Sequence, residues 1–219
     1  VLCPGPGGMT ALHVAAREGH GEIVRFLSNT PDFYRPDLDL PTTDGWTALH
    51  LTARDKRSEA MRYLVCETSR EDTFMEVNIE ARTKDGRTPL MIACENAFVD
   101  GAKILMEGGA NSTVTCWEQE YTALHLAALA GSAGVVSVLL DYGDECDMLA
   151  AGAWTPLMLA ASRGHTECMK ELIKGGANVM ATTLSGSISP LKAAILSEDK
   201  EAIALLQAAQ DATVDRGGG

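Results

Sequence analysis

The stretch Asp44–Val65, DGWTALHLTARDKRSEAMRYLV, decides the fold. It opens on the turn pair Asp44-Gly45, passes through Trp46 and Thr47, and enters an apolar run from Ala48 to Ala53. A charged break, Arg54 to Glu59, separates that run from a second apolar run ending at Val65. Apolar spacing of this kind predicts two short helices joined by a polar turn, with Thr47 as the N-cap of the first. The large Trp46 side chain directly ahead of the cap has no role in that local scheme.

Working outward, the motif returns along the chain: TALH at Thr10, Thr47 and Thr122, TPLM at Thr88 and Thr155, and SPLK at Ser189. The intervals are 37, 41, 34, 33 and 34 residues, so six repeats fill nearly the whole sequence. In each, Thr or Ser is placed to cap a helix, and in three a Pro (Pro89, Pro156, Pro190) follows at the first helical position, where a missing N–H costs nothing. Small and apolar residues come next, as in Leu12-His13-Val14-Ala15-Ala16, then a turn such as REGHGE (17–22) or SRGHTE (162–167). A second helical run follows, such as Ile23, Val24, Phe26 and Leu27, or Cys168, Met169, Leu172 and Ile173. Gly108-Gly109 and Gly175-Gly176 supply left-handed helix ends.

A unit of about 33 residues with Thr-Pro-Leu-His-x-Ala, a Gly-His turn and a Gly-Ala ending resembles the ankyrin repeat. The resemblance covers about residues 8–210, with repeats near 7–42, 44–84, 85–118, 119–151, 152–185 and 186–215 of a single domain, 1–219. It implies an all-α solenoid of helix-turn-helix units with projecting β-hairpin loops. Several positions depart from the pattern. Met91, Met158 and Lys192 replace His, the Gly-His turn is missing from RDKRSE (54–59) and ENAFVD (95–100), and Gln119-Glu120 stands where other repeats carry Asp-Gly. Two longer links occur, at 28–40 and 66–81; the second is read as an acidic, mobile loop with Phe74 and Met75 as apolar anchors. The charged segment 197–201 is read as a C-terminal cap, and residues 1–8 and 211–219 as frayed ends.

A formal charge of -12 and a pI near 4.8 argue against a phosphate-binding surface, since nucleic-acid affinity comes largely from Lys and Arg displacing counterions. Six dispersed cysteines without a Cys-x-x-Cys pair read as reduced thiols in an intracellular, cytoplasmic or nuclear protein. Val1 at the start and Gly217-Gly218-Gly219 at the end are read as the marks of a fragment. The uncharged segment 123–140 approaches membrane-span length but holds Gly131, Ser132 and Gly134, so two helices joined by a turn are expected instead.

No constellation of residues points to catalysis, a metal or a cofactor. His13, His50 and His125 share one position of the repeat, and stacked helices stand about 8–10 Å apart whereas metal ligands lie about 2 Å from one ion. They are expected to bond backbone near the helix start. Cys94 and Cys168 read as small core residues, and the acidic group Asp141, Asp144, Glu145 and Asp147 as a solvated hairpin without calcium-loop periodicity.

Aligned on the cap, the preceding residues are Met9, Trp46, Arg87, Tyr121, Trp154 and Ile188. In ankyrin-like domains this row lies near the hairpin base on the concave side, as the resemblance implies. Two readings stand: each side chain covers its neighbour's helix start, or the row is a binding stripe, since aromatic residues and Arg dominate interface hot spots. Trp117, expected at a hairpin tip, is a second contact candidate. The expected function is a non-enzymatic scaffold or signalling module that binds a basic partner segment with apolar anchors, through Trp46, Arg87, Tyr121, Trp154, Trp117, Phe74 and Met75. Two narrower uses remain open: a transcription-factor regulator resembling the inhibitor-of-κB group, or a targeting or substrate-recruiting domain of a larger protein.

Overall fold

The computed structural model describes residues 5–28, 37–67 and 77–217. Their helices come in pairs, one pair per repeat: α1 (Ala11–Glu18) and α2 (Gly21–Ser28), α3 (Ala48–Arg54) and α4 (Ser58–Arg62), α5 (Pro89–Glu95) and α6 (Val99–Glu107). After these come α7 (Ala123–Ala130) and α8 (Ala133–Asp141), α9 (Pro156–Ser162) and α10 (Thr166–Lys174), α11 (Pro190–Leu196) and α12 (Lys200–Gly217). Helix α4 continues as a π-helical turn over Tyr63–Glu67.

The chain divides into two compact halves, Val1–Asn111 and Ser112–Gly219. In the N-terminal half α1, α3 and α5 pack in sequence, as do α2, α4 and α6; in the C-terminal half α7, α9 and α11 form one such row and α8, α10 and α12 the other. Small residues permit the close approach. Ala16, Ala53 and Cys94 in one half, and Ala128 and Ala161 in the other, are fully buried at the same repeat position.

All six predicted caps form. The hydroxyls of Thr10, Thr47, Thr88, Thr122, Thr155 and Ser189 each accept a hydrogen bond from the N–H three residues on, an arrangement that contributes about 1 kcal/mol per helix. Nine residues past each cap the backbone turns left-handed, at Gly19 (φ 83°), Gly131 (φ 75°) and Gly164 (φ 69°). Lys56 (φ 57°), Ala97 (φ 52°) and Glu198 (φ 57°) adopt the same conformation in the other repeats. The turn is therefore imposed by the packing of the two helices even where the sequence lacks glycine. Segment 123–140 is the helix pair α7 and α8, broken at Gly131, and none of the described helices is long and apolar enough to cross a membrane.

Several expectations are corrected. Residues 5–8 are ordered into the first loop: Gly5 N–H donates to Met9 O (2.8 Å), and Thr43 N–H to Gly7 O (2.9 Å). Residues 211–217 continue α12. In α2 only Val24 of the expected apolar run is fully buried, while Ile23 and Phe26 are exposed, because among the described residues no helix pair packs on that side. The last repeat exposes Ile195 and Leu196 beside its charged segment, so its outer face is not purely polar. The acidic group is partly structural. Ser112 Oγ donates to the Asp144 carboxylate, and Asn178 N–H to both oxygens of Asp147 at 3.0 and 3.1 Å.

Asp147 belongs to a series. Asn78 N–H donates to Asp39 at 3.0 and 3.1 Å, and Asn111 N–H to Glu80 at 2.7 Å, so a carboxylate near the end of one repeat repeatedly bonds the equivalent segment of the next.

Candidate functional site

The loops ahead of the caps position the row. Each is closed by one backbone bond whose acceptor is the carbonyl of the row residue: Thr42 N–H to Trp46 O (2.8 Å), Thr83 to Arg87 (3.0 Å), Cys116 to Tyr121 (3.1 Å), Ala150 to Trp154 (2.9 Å) and Thr183 to Ile188 (3.0 Å). Gln119-Glu120 thus still makes a hairpin. It spans one residue more than its neighbours and places Glu120 at φ 55°. The hairpins are minimal, and among the described residues no strand extends beyond the isolated bridge Ala150–Trp154.

The histidines lock this geometry. Nδ1 of His50 accepts from the Thr47 N–H (3.2 Å) and lies 2.8 Å from its hydroxyl, while Nε2 lies 3.1 Å from Arg87 O. His125 repeats the pattern with Thr122 and Trp154 O, also at 3.1 Å. With Nδ1 committed as acceptor, the proton sits on Nε2, and the ring must be neutral to serve both edges. Burial pushes both imidazoles down to about 4, against weaker support from the carbonyls they bond. His13 is also lowered by burial, but its Nε2 forms no full hydrogen bond. The expected bonding of histidine to backbone near the helix start is therefore present at all three, with Thr10 N–H donating to His13 Nδ1 at 3.1 Å, and the second bond, to the next repeat, at His50 and His125.

All six row side chains are half-buried. In the N-terminal half Trp46 meets His50 edge-on (5.9 Å, 66°), and the Arg54 guanidinium stands 5.4 Å from the centre of its indole. Trp46, Met9, Arg17, Leu51 and Arg54 line a hollow of about 190 Å³. Arg87 pairs with Glu95 at 3.2 Å. In the C-terminal half Tyr121 stacks on His125 (5.8 Å, 22°), and Trp154 lends its carbonyl to the same histidine. The Trp46 and Tyr121 rings thus each pack on a capping histidine while remaining partly exposed, which accords with the packing reading of the row.

Trp117 stands at a loop tip and is 62% exposed. Phe74 and Met75 lie outside the described residues. Sequence reasoning missed Leu149 and Leu184, 58% and 85% exposed on the next two loops. The available signal was a Leu standing between loop residues without helical spacing around it.

Comparison with known proteins matches "Ankyrin repeats (3 copies)" over residues 2–75 and 72–150, and "Ankyrin repeat" over 154–184. The chain belongs to the ankyrin-repeat family. Among curated ankyrin-repeat relatives, the probable E3 ubiquitin-protein ligase XBOS31 of Oryza sativa subsp. japonica is 52% identical over 60 residues, 27% of this chain and 14% of that protein. The tyrosine-protein kinase HTK16 of Hydra vulgaris is 29% identical over 127 residues, 53% of this chain and 16% of that protein. The chain thus spans less than a fifth of either relative. Among solved structures, the ankyrin repeat domain of Bcl-3, described as a unique member of the IkappaB protein family, matches with a TM-score of 0.79 at 25% identity. That match covers 92% of this chain and 86% of the Bcl-3 domain.

Among the described residues of these ankyrin repeats, no group of three or more His, Cys, Asp or Glu is arranged to hold a metal. Cys94 and Cys168 are buried as expected, and burial pushes the Cys168 thiol up to about 11, against thiolate chemistry.

Proposed function

We propose that this ankyrin-repeat domain, a single array of six repeats, is a non-enzymatic module that holds a partner protein segment against the hairpin bases and tips. Trp46 and Arg87 are the contacts in the N-terminal half, Tyr121 and Trp154 in the C-terminal half, with Trp117 at a tip and Phe74 and Met75 on the acidic link. The observation that carries the reading is the half-buried state of the row. A ring already fixed on one side by a capping histidine or a loop has little freedom left to lose, so its open face binds at low ordering cost. The partner is basic with apolar anchors, because a net charge of -12 steers positive segments toward the chain while the rings take apolar side chains. The module works inside the cell, in cytoplasm or nucleus, and needs no metal or cofactor.

Two uses are favoured by specific observations. The match to the Bcl-3 domain over 92% of the chain supports an inhibitor-of-κB-like regulator of transcription factors. The 52% identity to part of a probable ubiquitin ligase supports a recruiting domain of a larger protein.

The test is capture from a eukaryotic lysate, quantified by mass spectrometry, with the native chain and a Trp46→Ser/Tyr121→Ser/Trp154→Ser variant of matched melting behaviour. The expected result is a specific partner set that falls about tenfold or more with the variant and weakens with salt. Transcription factors among the partners select the regulator; proteins stabilised when the recruiter is absent select the recruiting domain. A partner set unchanged by the variant removes the row from the binding surface.

A further inference from the structure

The loops of the C-terminal half carry large apolar side chains that the core does not use. Trp117, Leu149 and Leu184 stand on three consecutive loops and are 62%, 58% and 85% exposed. Those loops are bonded edge to edge: Ala151 N–H donates to Gln119 O (3.1 Å), and Leu184 N–H to Gly152 O (3.2 Å). Trp117 and Leu149 each lie two residues ahead of a bonded residue, and Leu184 is itself bonded, so the three stand on adjacent loops. In the N-terminal half the residues that follow the closing donors Thr42 and Thr83 are Thr43 and Lys84, both polar. The three side chains stand on the loops ahead of the caps Thr122, Thr155 and Ser189.

Charge identifies what it fits. Loop segments 112–122, 144–155 and 178–189 contain Glu118, Glu120, Asp144, Glu145 and Asp147 and no Lys or Arg. Glu118 and Glu120 are exposed beside Trp117. Asp144 and Asp147 are held in place by Ser112 and the Asn178 N–H. Fixed carboxylates around an apolar ridge favour ammonium and guanidinium groups and disfavour acidic chains, whose like charge would be desolvated against them.

We infer that the Trp117–Leu149–Leu184 ridge docks an extended peptide segment whose spaced apolar residues are separated by Lys or Arg. Stacked helix pairs stand about 8–10 Å apart, and an extended chain advances about 3.3 Å per residue, so the peptide's apolar anchors recur about every third residue. This rests on the interaction-module reading but assigns the contact to the tips of the C-terminal half rather than to the row at the hairpin bases.

The experiment selects phage-displayed random peptides of about twelve residues, roughly 40 Å when extended, on the full chain, and then measures the best peptide by fluorescence polarisation. Enrichment of Lys or Arg between apolar residues is expected. A Trp117→Ser/Leu149→Ser/Leu184→Ser variant should weaken the peptide about tenfold or more, while Ile23→Ser/Phe26→Ser, exposed on α2 and outside any proposed contact, leaves it within about twofold. Glu118→Gln/Glu120→Gln, which alters no packing, should weaken it several-fold at low ionic strength and less at high. A ridge variant that binds as tightly as the native chain, while Trp46→Ser/Tyr121→Ser/Trp154→Ser weakens the peptide, overturns the ridge and leaves the interaction module standing. Acidic or uncharged selected peptides overturn the partner chemistry. Retention of no peptide above background overturns the ridge, and the lysate capture then decides the module separately.

Discussion

His50 and His125 each use opposite edges of one ring, Nδ1 to close the cap of its own helix and Nε2 to hold the hairpin carbonyl of the next repeat. Their folded pKa of about 4 lies below the ordinary 6.5, so the unfolded chain takes up protons first as pH falls. Stability from these groups is therefore complete above pH 6.5 and is lost progressively down to about 4, on the order of 3 kcal/mol for each ring at the lower limit. Burial raises the carboxyls of Asp39, Glu95 and Asp144, which hold their protons more tightly when folded and offset part of the loss at the acidic end. The melting temperature should fall between about pH 7 and pH 5, and His50→Met/His125→Met should flatten that fall. Met91 and Met158 already occupy the position, buried and without titration. At pH 7 the double variant should cost about 1 kcal/mol for each lost carbonyl bond, read by urea unfolding.

At the scale of the helix pair, Lys56, Ala97 and Glu198 bear the conformational cost that Gly19, Gly131 and Gly164 avoid. Lys56→Gly and Glu198→Gly should each raise stability by about 0.5–1 kcal/mol. Gly131→Ala should lower it by more than that, since an added Cβ would lie 2.8 Å from the His165 ring. Position along the stack matters equally. Val14 and Ile23 are 42% and 49% exposed, whereas their counterparts Leu51, Ile92, Leu126 and Leu159, and Ala60, Val135, Cys168 and Ala202, are 5% or less. Ile23→Lys should therefore stay within about 0.5 kcal/mol of the native chain in denaturant unfolding, while Val135→Lys should cost several kcal/mol. The helix pairs were legible because each repeat states its cap, its small residues and its turn in order. The exposure of Ile23 and Phe26 was not, because helical spacing marks an apolar face without telling whether a neighbour covers it. The turns at Lys56 and Ala97 were equally hidden, since tertiary packing there overrides the local preference for glycine.

For the molecule as a whole, a charge of -12 opposes compaction through self-repulsion, so the melting temperature should rise as sodium chloride is added up to about 0.15 M. The row was legible as a row, since Trp46, Tyr121 and Trp154 hold one repeat position, and the structure adds which side of each ring is fixed. The tips were legible only at Trp117. Leu149 and Leu184 gain meaning from loop-to-loop bonds that no local pattern encodes, and Asp144 and Asp147 looked solvated because their partners lie about thirty residues away, a separation that composition does not register. The twin-edged histidines also serve the experimenter. One lies in each compact half, and each has an imidazole nitrogen whose magnetic resonance depends on tautomer and on its hydrogen bonds. Nitrogen spectra recorded through a denaturant series would time the opening of the two halves separately, with His50 as the clock for one and His125 for the other, and no label need be attached.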